Sequence, residues 1–153
     1  MNEIRTVAVI GGGQMGSGIA VACVLAGMTT TVREVTEVVC QRALAAVTRS
    51  TTRLVERGLI EAERRDAALA RLRCTTELEA IAGSDLVIEA VVEDLSVKTG
   101  LWTELDALCR PGAIFASNTS SLTIAAMAAA TARPDRMIGL HFFHPVLAMR
   151  LVE

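Results

Sequence analysis

The stretch Thr6 to Gly18, TVAVIGGGQMGSG, decides the fold. Val7, Ala8, Val9 and Ile10 are apolar without alternation, which predicts a strand buried on both faces of a parallel sheet. Gly11, Gly13 and Gly16 follow as G-x-G-x-x-G, with Gln14 and Met15 inside the motif. The first glycine permits the tight turn out of the strand. The second lets backbone approach a pyrophosphate, and the third lets the next helix pack close to the strand. That helix, carried by Met15, Ile19, Ala20, Cys23 and Val24, is ended by Gly27. Its first N–H groups and the positive end of its dipole suit a phosphate without any basic side chain.

Thr29 to Val32 reads as a second strand, and it ends at Glu34, about 20 residues after the glycines, where a dinucleotide fold places an acid for the ribose hydroxyls. An acid there repels a 2′-phosphate, so NAD is expected over NADP. Arg33 stands beside it and could accommodate that phosphate. Neighbours on an extended strand point to opposite faces, however, which is expected to separate Arg33 from Glu34.

The chain has 153 residues, enough for one domain with a sizeable core, and its apolar content of 52% suits a buried sheet between helices. No segment reads as a membrane span or a signal peptide. A formal charge of -2 argues against a nucleic-acid partner. Cys23, Cys40, Cys74 and Cys109 are scattered, without metal-ligand spacing, and read as small core residues of a reducing, cytoplasmic compartment.

Thr36 to Arg57 and Glu61 to Leu72 have helical spacing and form an expected helical hairpin inserted after the second strand. Arg42, Arg49, Arg53 and Arg57 share one side of the first helix. Their interspersed acids favour a solvated charged face over contact with an anionic ligand such as the phosphates of coenzyme A. A short strand is expected at Arg73 to Thr75. Asp85 to Ala90 is a buried strand whose carboxyl end leads to Glu93 and Lys98, where α/β sheets gather ligands. Leu95 to Cys109 is an amphipathic helix in which Trp102 packs. Ala113 to Ala116 is a strand running into Ser117-Asn118-Thr119-Ser120-Ser121, a polar run that can cap the helix Leu122 to Ala130 through Ser120 or Ser121 and face a ligand. Met137 to Leu140 is the last strand, before His141-Phe142-Phe143-His144-Pro145. The expected class is therefore α/β, doubly wound around a mostly parallel sheet.

VIGGGQMGSGIA, DLVIEAVVED, IFASNTSSL and GLHFFHPV with MRLVE, in this order from Thr6 to Glu153, resemble the amino-terminal NAD-binding domain of the L-3-hydroxyacyl-CoA dehydrogenases. The resemblance implies a Rossmann-like fold and oxidation of the 3-hydroxyl of an acyl-CoA to a ketone, with hydride passed to NAD. Alcohol oxidation needs a base with a pKa near operating pH, and histidine supplies one. By resemblance that base is His141 and its orienting carboxylate is Glu153. Ser120 and Asn118 match positions that hydrogen-bond substrate oxygen and nicotinamide, and Glu93 and Lys98 match cofactor contacts, a surface ion pair being the plainer reading of those two. The family usually has asparagine where His144 stands. Family members continue into a helical second domain that covers the substrate and forms most of a homodimer interface, so this chain is expected to be a truncated piece that binds NAD and turns over slowly or not at all. A dehydrogenase of free hydroxy acids and a non-catalytic NAD-binding module are the competing expectations.

Overall fold

A computed structural model describes residues 3–149 and 151–153. Six strands form one sheet: β1 (Thr6–Ile10), β2 (Thr29–Arg33), β3 (Leu72–Thr75), β4 (Leu86–Glu89), β5 (Ile114–Ser117) and β6 (Met137–Gly139). Their order is β3-β2-β1-β4-β5-β6 and every pairing is parallel. The helices are α1 (Gln14–Leu25), α2 (Glu37–Glu56), α3 (Ala62–Leu69), α4 (Leu95–Leu108) and α5 (Ile124–Ala128). This is the doubly wound, Rossmann-like architecture, with α2 and α3 as the hairpin inserted between β2 and β3.

The absence of alternation in β1 has a direct cause. Val7 and Val9 pack into a core with Ile19, Ala20, Cys23, Val32 and Val47, while Ala8 and Ile10 pack into a second core with Trp102, Leu105, Phe115 and Met127. Successive side chains leave opposite faces of a strand. A strand covered by helices on both sides therefore has no polar positions to alternate. Full burial of each large apolar side chain contributes roughly 1.5–3 kcal/mol. Trp102 is buried with its ring centroid 5.0 Å from that of Phe115, a packing role as its helical spacing implies.

Helix starts follow local chemistry. The Thr36 side chain accepts a hydrogen bond from Val39 N–H at 3.3 Å, and the Asp94 carboxylate accepts from the N–H groups of Ser96 and Val97. Helix α1 instead begins at Gly13 with no side-chain cap and no acid in its first turn. Neither Ser120 nor Ser121 caps α5, contrary to expectation. That helix starts later, after Thr123, because the Thr119 hydroxyl takes the turn and accepts from Leu122 N–H at 3.0 Å. The second hairpin helix also stops short of Leu72, whose backbone is recruited by the sheet opposite Thr30.

The expectation of four free thiols is corrected. Cys40, in the first turn of α2, and Cys74, in β3, form a disulfide with Cα atoms 5.7 Å apart. Thirty-four positions separate them, a spacing that carries no pairing signal in sequence. Cys23 and Cys109 are free and buried, and burial pushes the Cys23 thiol up to about 11, away from reactivity. Among the described residues no helix is long and apolar enough to cross a membrane.

Candidate functional site

Strand order reverses between β1 and β4, and the crevice outside their carboxyl ends is where such sheets take ligands. Three cavities open along that edge. The first, of about 350 Å³, is lined by Met15, Glu93, Lys98, Asn118, Ser120 and His141, with Phe142, Phe143 and His144 closing it. The second, of about 420 Å³, runs over Gly11, Gly13, Arg33 and Glu34. The third, of about 660 Å³, holds Gly13 and Gln14 on one side and Arg42, Arg49 and Arg53 of α2 on the other, with His144 again at its edge. The folded sheet thus distributes the expected site residues over adjoining cavities, apart from Gly16 and Glu153, which line none of the three.

The glycine turn separates into positions set by the protein and one that is not. Gly11 has φ +92°, and a side chain at Gly16 would overlap the Gly11 carbonyl oxygen. Both glycines are demanded by packing between β1 and α1. At Gly13 nothing lies within 4 Å of the place a Cβ would occupy. Protein packing gives no reason for glycine there, and the helix start beneath it is uncapped. An anionic group approaching along the backbone supplies both reasons, so the cradle fits a dinucleotide.

Glu34 is buried, and its carboxylate accepts from the N–H of Gly12 and, at 3.2 Å, from its own neighbour Val35. Arg33 and Glu34 are separated as strand alternation implies: Glu34 reaches Gly12 on the side of Val32, and Arg33 makes no ion pair with it among the described residues. Both residues nonetheless line the same cavity, because it opens at the carboxyl edge of the sheet where its two faces meet.

Lys98 does not sit in a surface ion pair. It is 1% exposed on α4, and its ammonium contacts the carboxylate of Glu89, itself 0% exposed, and that of Glu93 at 3.2 Å. The Glu89 oxygens also accept from Val91 N–H at 2.8 Å and the Ser117 hydroxyl at 2.6 Å. Burial opposes ionisation of Glu93, yet the Thr119 hydroxyl, the Lys98 ammonium and the Ser121 hydroxyl together hold its carboxyl below the usual range. Glu89 was not singled out in the sequence, and Ser117 stood there only as the first residue of the polar run. The available signal for Glu89 was an acid inside an otherwise apolar strand, DLVIEA, where a charge must find a partner.

His141 and Glu153 are brought together by the backbone. The N–H of His141 donates to the Glu153 carbonyl at 2.8 Å, and the N–H of Glu153 returns a bond to the His141 carbonyl at 3.0 Å. Phe142 and Val152 form an antiparallel bridge between them. The His141 Nδ1 then stands 3.6 Å from a Glu153 carboxylate oxygen, within ion-pair reach and just beyond a hydrogen bond. Asn118 holds this segment in place, its side-chain oxygen accepting from Phe142 N–H at 2.8 Å. The His144 ring lies 3.2 Å from the Gln14 side-chain nitrogen. Among the described residues no cluster of three or more His, Cys, Asp or Glu side chains could hold a metal ion.

Comparison with known proteins bears on the same region. A family model described as the 3-hydroxyacyl-CoA dehydrogenase NAD-binding domain matches residues 6–153. A 3-hydroxybutyryl-CoA dehydrogenase of Mycobacterium tuberculosis is 46% identical over 99% of this chain and 54% of its own length. A 3-hydroxyadipyl-CoA dehydrogenase of Escherichia coli K12 is 40% identical over 100% of this chain and 32% of its own. Among solved structures, M. tuberculosis FadB2 superposes with a TM-score of 0.95 at 45% identity, covering 99% of this chain and 53% of that one. The chain spans about half the length of the Mycobacterium relatives. With the fold, the glycine turn and near-complete coverage by the family model in agreement, the chain belongs to the 3-hydroxyacyl-CoA dehydrogenase family as its NAD-binding domain, with NAD as the cofactor.

Proposed function

We propose that this chain is the cofactor-binding half of an enzyme that oxidises an (S)-3-hydroxyacyl-CoA to the 3-oxoacyl-CoA. The observation that carries the reading is the His141–Glu153 pair, fixed by two reciprocal backbone bonds beside the cavity of Asn118, Ser120 and Lys98. In this reading His141 removes the hydroxyl proton as the alcohol is oxidised. Glu153 orients the imidazole through Nδ1 and stabilises its charged form, the carboxylate–histidine arrangement of hydrolase triads without a nucleophile. Ser120 and Asn118 hydrogen-bond the reacting oxygen and the nicotinamide amide. NAD, when bound, supplies the hydride acceptor. Gly11, Gly13, Gln14 and Met15 border its pyrophosphate, Gly16 lets α1 pack close enough to present that turn, and Glu34 takes its ribose hydroxyls, with Glu93 and Lys98 on its nicotinamide side.

A substrate carried on coenzyme A is supported by the third cavity. Arg42, Arg49 and Arg53 line it together, whereas Glu56, Glu61, Glu63 and Asp66 do not. That arrangement favours a phosphate-bearing ligand over the uniformly solvated face expected from the sequence. His144 borders both this groove and the His141 cavity, so a thioester chain could pass from one to the other. The complete active unit, on this reading, includes a helical second domain that covers the substrate and pairs two copies.

The test has two parts. Calorimetric titration of the chain with NADH, NADPH and acetoacetyl-CoA, singly and in pairs, should show NADH preferred and acetoacetyl-CoA binding alongside it. In the whole protein that carries this chain, His141→Gln and Glu153→Gln should each lower kcat, His141→Gln by roughly 10²–10⁴, with NADH affinity kept. A His141→Gln enzyme with unchanged turnover would remove the assignment.

A further inference from the structure

Arg33 ends β2, its Cα paired with those of Ile10 and Thr75, and its carbonyl accepts from Gly11 N–H at 3.0 Å. The backbone there is thus fixed at the turn where the cofactor is read. Its guanidinium is another matter. The Nε atom is buried and has no hydrogen-bond partner, and Arg33 makes no ion pair among the described residues. Glu34, the adjacent carboxylate, is engaged with backbone N–H groups instead. A buried N–H left without an acceptor weakens a fold, so this side chain is held against the stability of the free protein.

The cavity it lines indicates what the arginine serves. Val35, Val91, Val92, Val97 and Leu101 form most of the remaining wall of this 420 Å³ space, with the Glu34 carboxylate and the glycine turn at one end. An aliphatic wall suits one face of a flat heterocycle. A guanidinium, planar and weakly hydrated, suits the other, because arginine stacks on aromatic faces where lysine presents only a compact charge.

We propose that Arg33 is a specificity-determining residue for the adenosine half of the dinucleotide, its guanidinium stacking on the adenine ring. The proposal rests on the NAD reading of the crevice and deepens it. Arg33→Met keeps the aliphatic stem and removes the guanidinium, and Arg33→Lys keeps the charge and removes the plane.

The experiment titrates parent and both variants with NADH, NADPH, ADP-ribose and reduced nicotinamide mononucleotide, alongside thermal unfolding. Affinity for NADH and for ADP-ribose should fall roughly three- to tenfold in Arg33→Met. Arg33→Lys should lose most of the same affinity. The mononucleotide, which has no adenine, should bind each protein equally. Thermal midpoints should hold or rise, since the variant discards an unpartnered buried N–H. Unchanged NADH affinity in Arg33→Met would overturn the proposal. A loss confined to NADPH would also overturn it and place the guanidinium on a 2′-phosphate. A lowered midpoint with equal loss for all four probes would make Arg33 structural and overturn it as well. A parent that binds neither NADH nor ADP-ribose would reject the underlying cofactor reading along with it.

Discussion

Replacing Lys98 by methionine tests whether the buried charges at the carboxyl end of β4 are matched as a unit. Lys98 and Glu89 are 1% and 0% exposed and in direct contact, so the substitution leaves a carboxylate in the core without its cation. Removing one partner of a buried pair costs about 3–5 kcal/mol. Val91 N–H and the Ser117 hydroxyl still donate to Glu89, which places the expected loss at the lower end, about 3 kcal/mol. The second contact, to the 43% exposed side chain of Glu93, adds under about 1 kcal/mol. For a domain of this size 3 kcal/mol lowers the unfolding midpoint by roughly 6–12 °C. The double variant Lys98→Met/Glu89→Gln should recover at least half of the loss, because the stranded charge is gone and an amide oxygen can still accept from Val91. Urea unfolding read by the fluorescence of Trp102, the single tryptophan and a neighbour on α4, gives all four corners of the cycle. A loss below about 1 kcal/mol in Lys98→Met, or a double variant worse than the sum of the singles, would refute the account of Glu89 as a buried anion stabilised chiefly by Lys98.

Two further outcomes follow from single residues. Gly13→Ala meets no protein atom within 4 Å, so it should cost less than about 1 kcal/mol of stability while weakening NADH binding more than tenfold; Gly16→Ala, overlapping the Gly11 carbonyl, should instead fail first as a folded protein, with far-ultraviolet circular dichroism and NADH titration separating the two. The Asp85 carboxyl is pulled down to about 2 by the backbone N–H of Arg5, against an opposing effect of burial, with help from Thr6 and Arg110. Its folded pKa is depressed, so its contribution is present above the unfolded value near 3.9 and lost as pH falls toward about 2. Urea midpoints of the parent and Asp85→Asn should differ at neutral pH and converge across that acid window; a difference that persists unchanged at the acid end would rule out the carboxylate as its source.

What the sequence made legible has a common physical basis. β1 could be read because burial on both faces erases alternation, and the glycine turn because Gly11 and Gly16 answer to backbone geometry within a few positions of one another. Signals of this kind are local, and they placed the sheet, the hairpin and most of the crevice. The features that were missed depend on distant partners. Cys40 meets Cys74 only because α2 folds back over β3, and the meeting of Glu153 with His141, expected from the family resemblance, was beyond spacing alone because it depends on an antiparallel return of the chain. Lys98 was legible as a charge near a strand end but not as a buried one, since burial was decided by Glu89 on a different element. Arg33 is the reverse case. Strand alternation correctly turned it away from Glu34, but alternation says nothing of the edge cavity that both residues reach from opposite faces. Regular structure ends at the site because a ligand has to reach backbone there, so the site is also where rules derived from regular structure lose their hold.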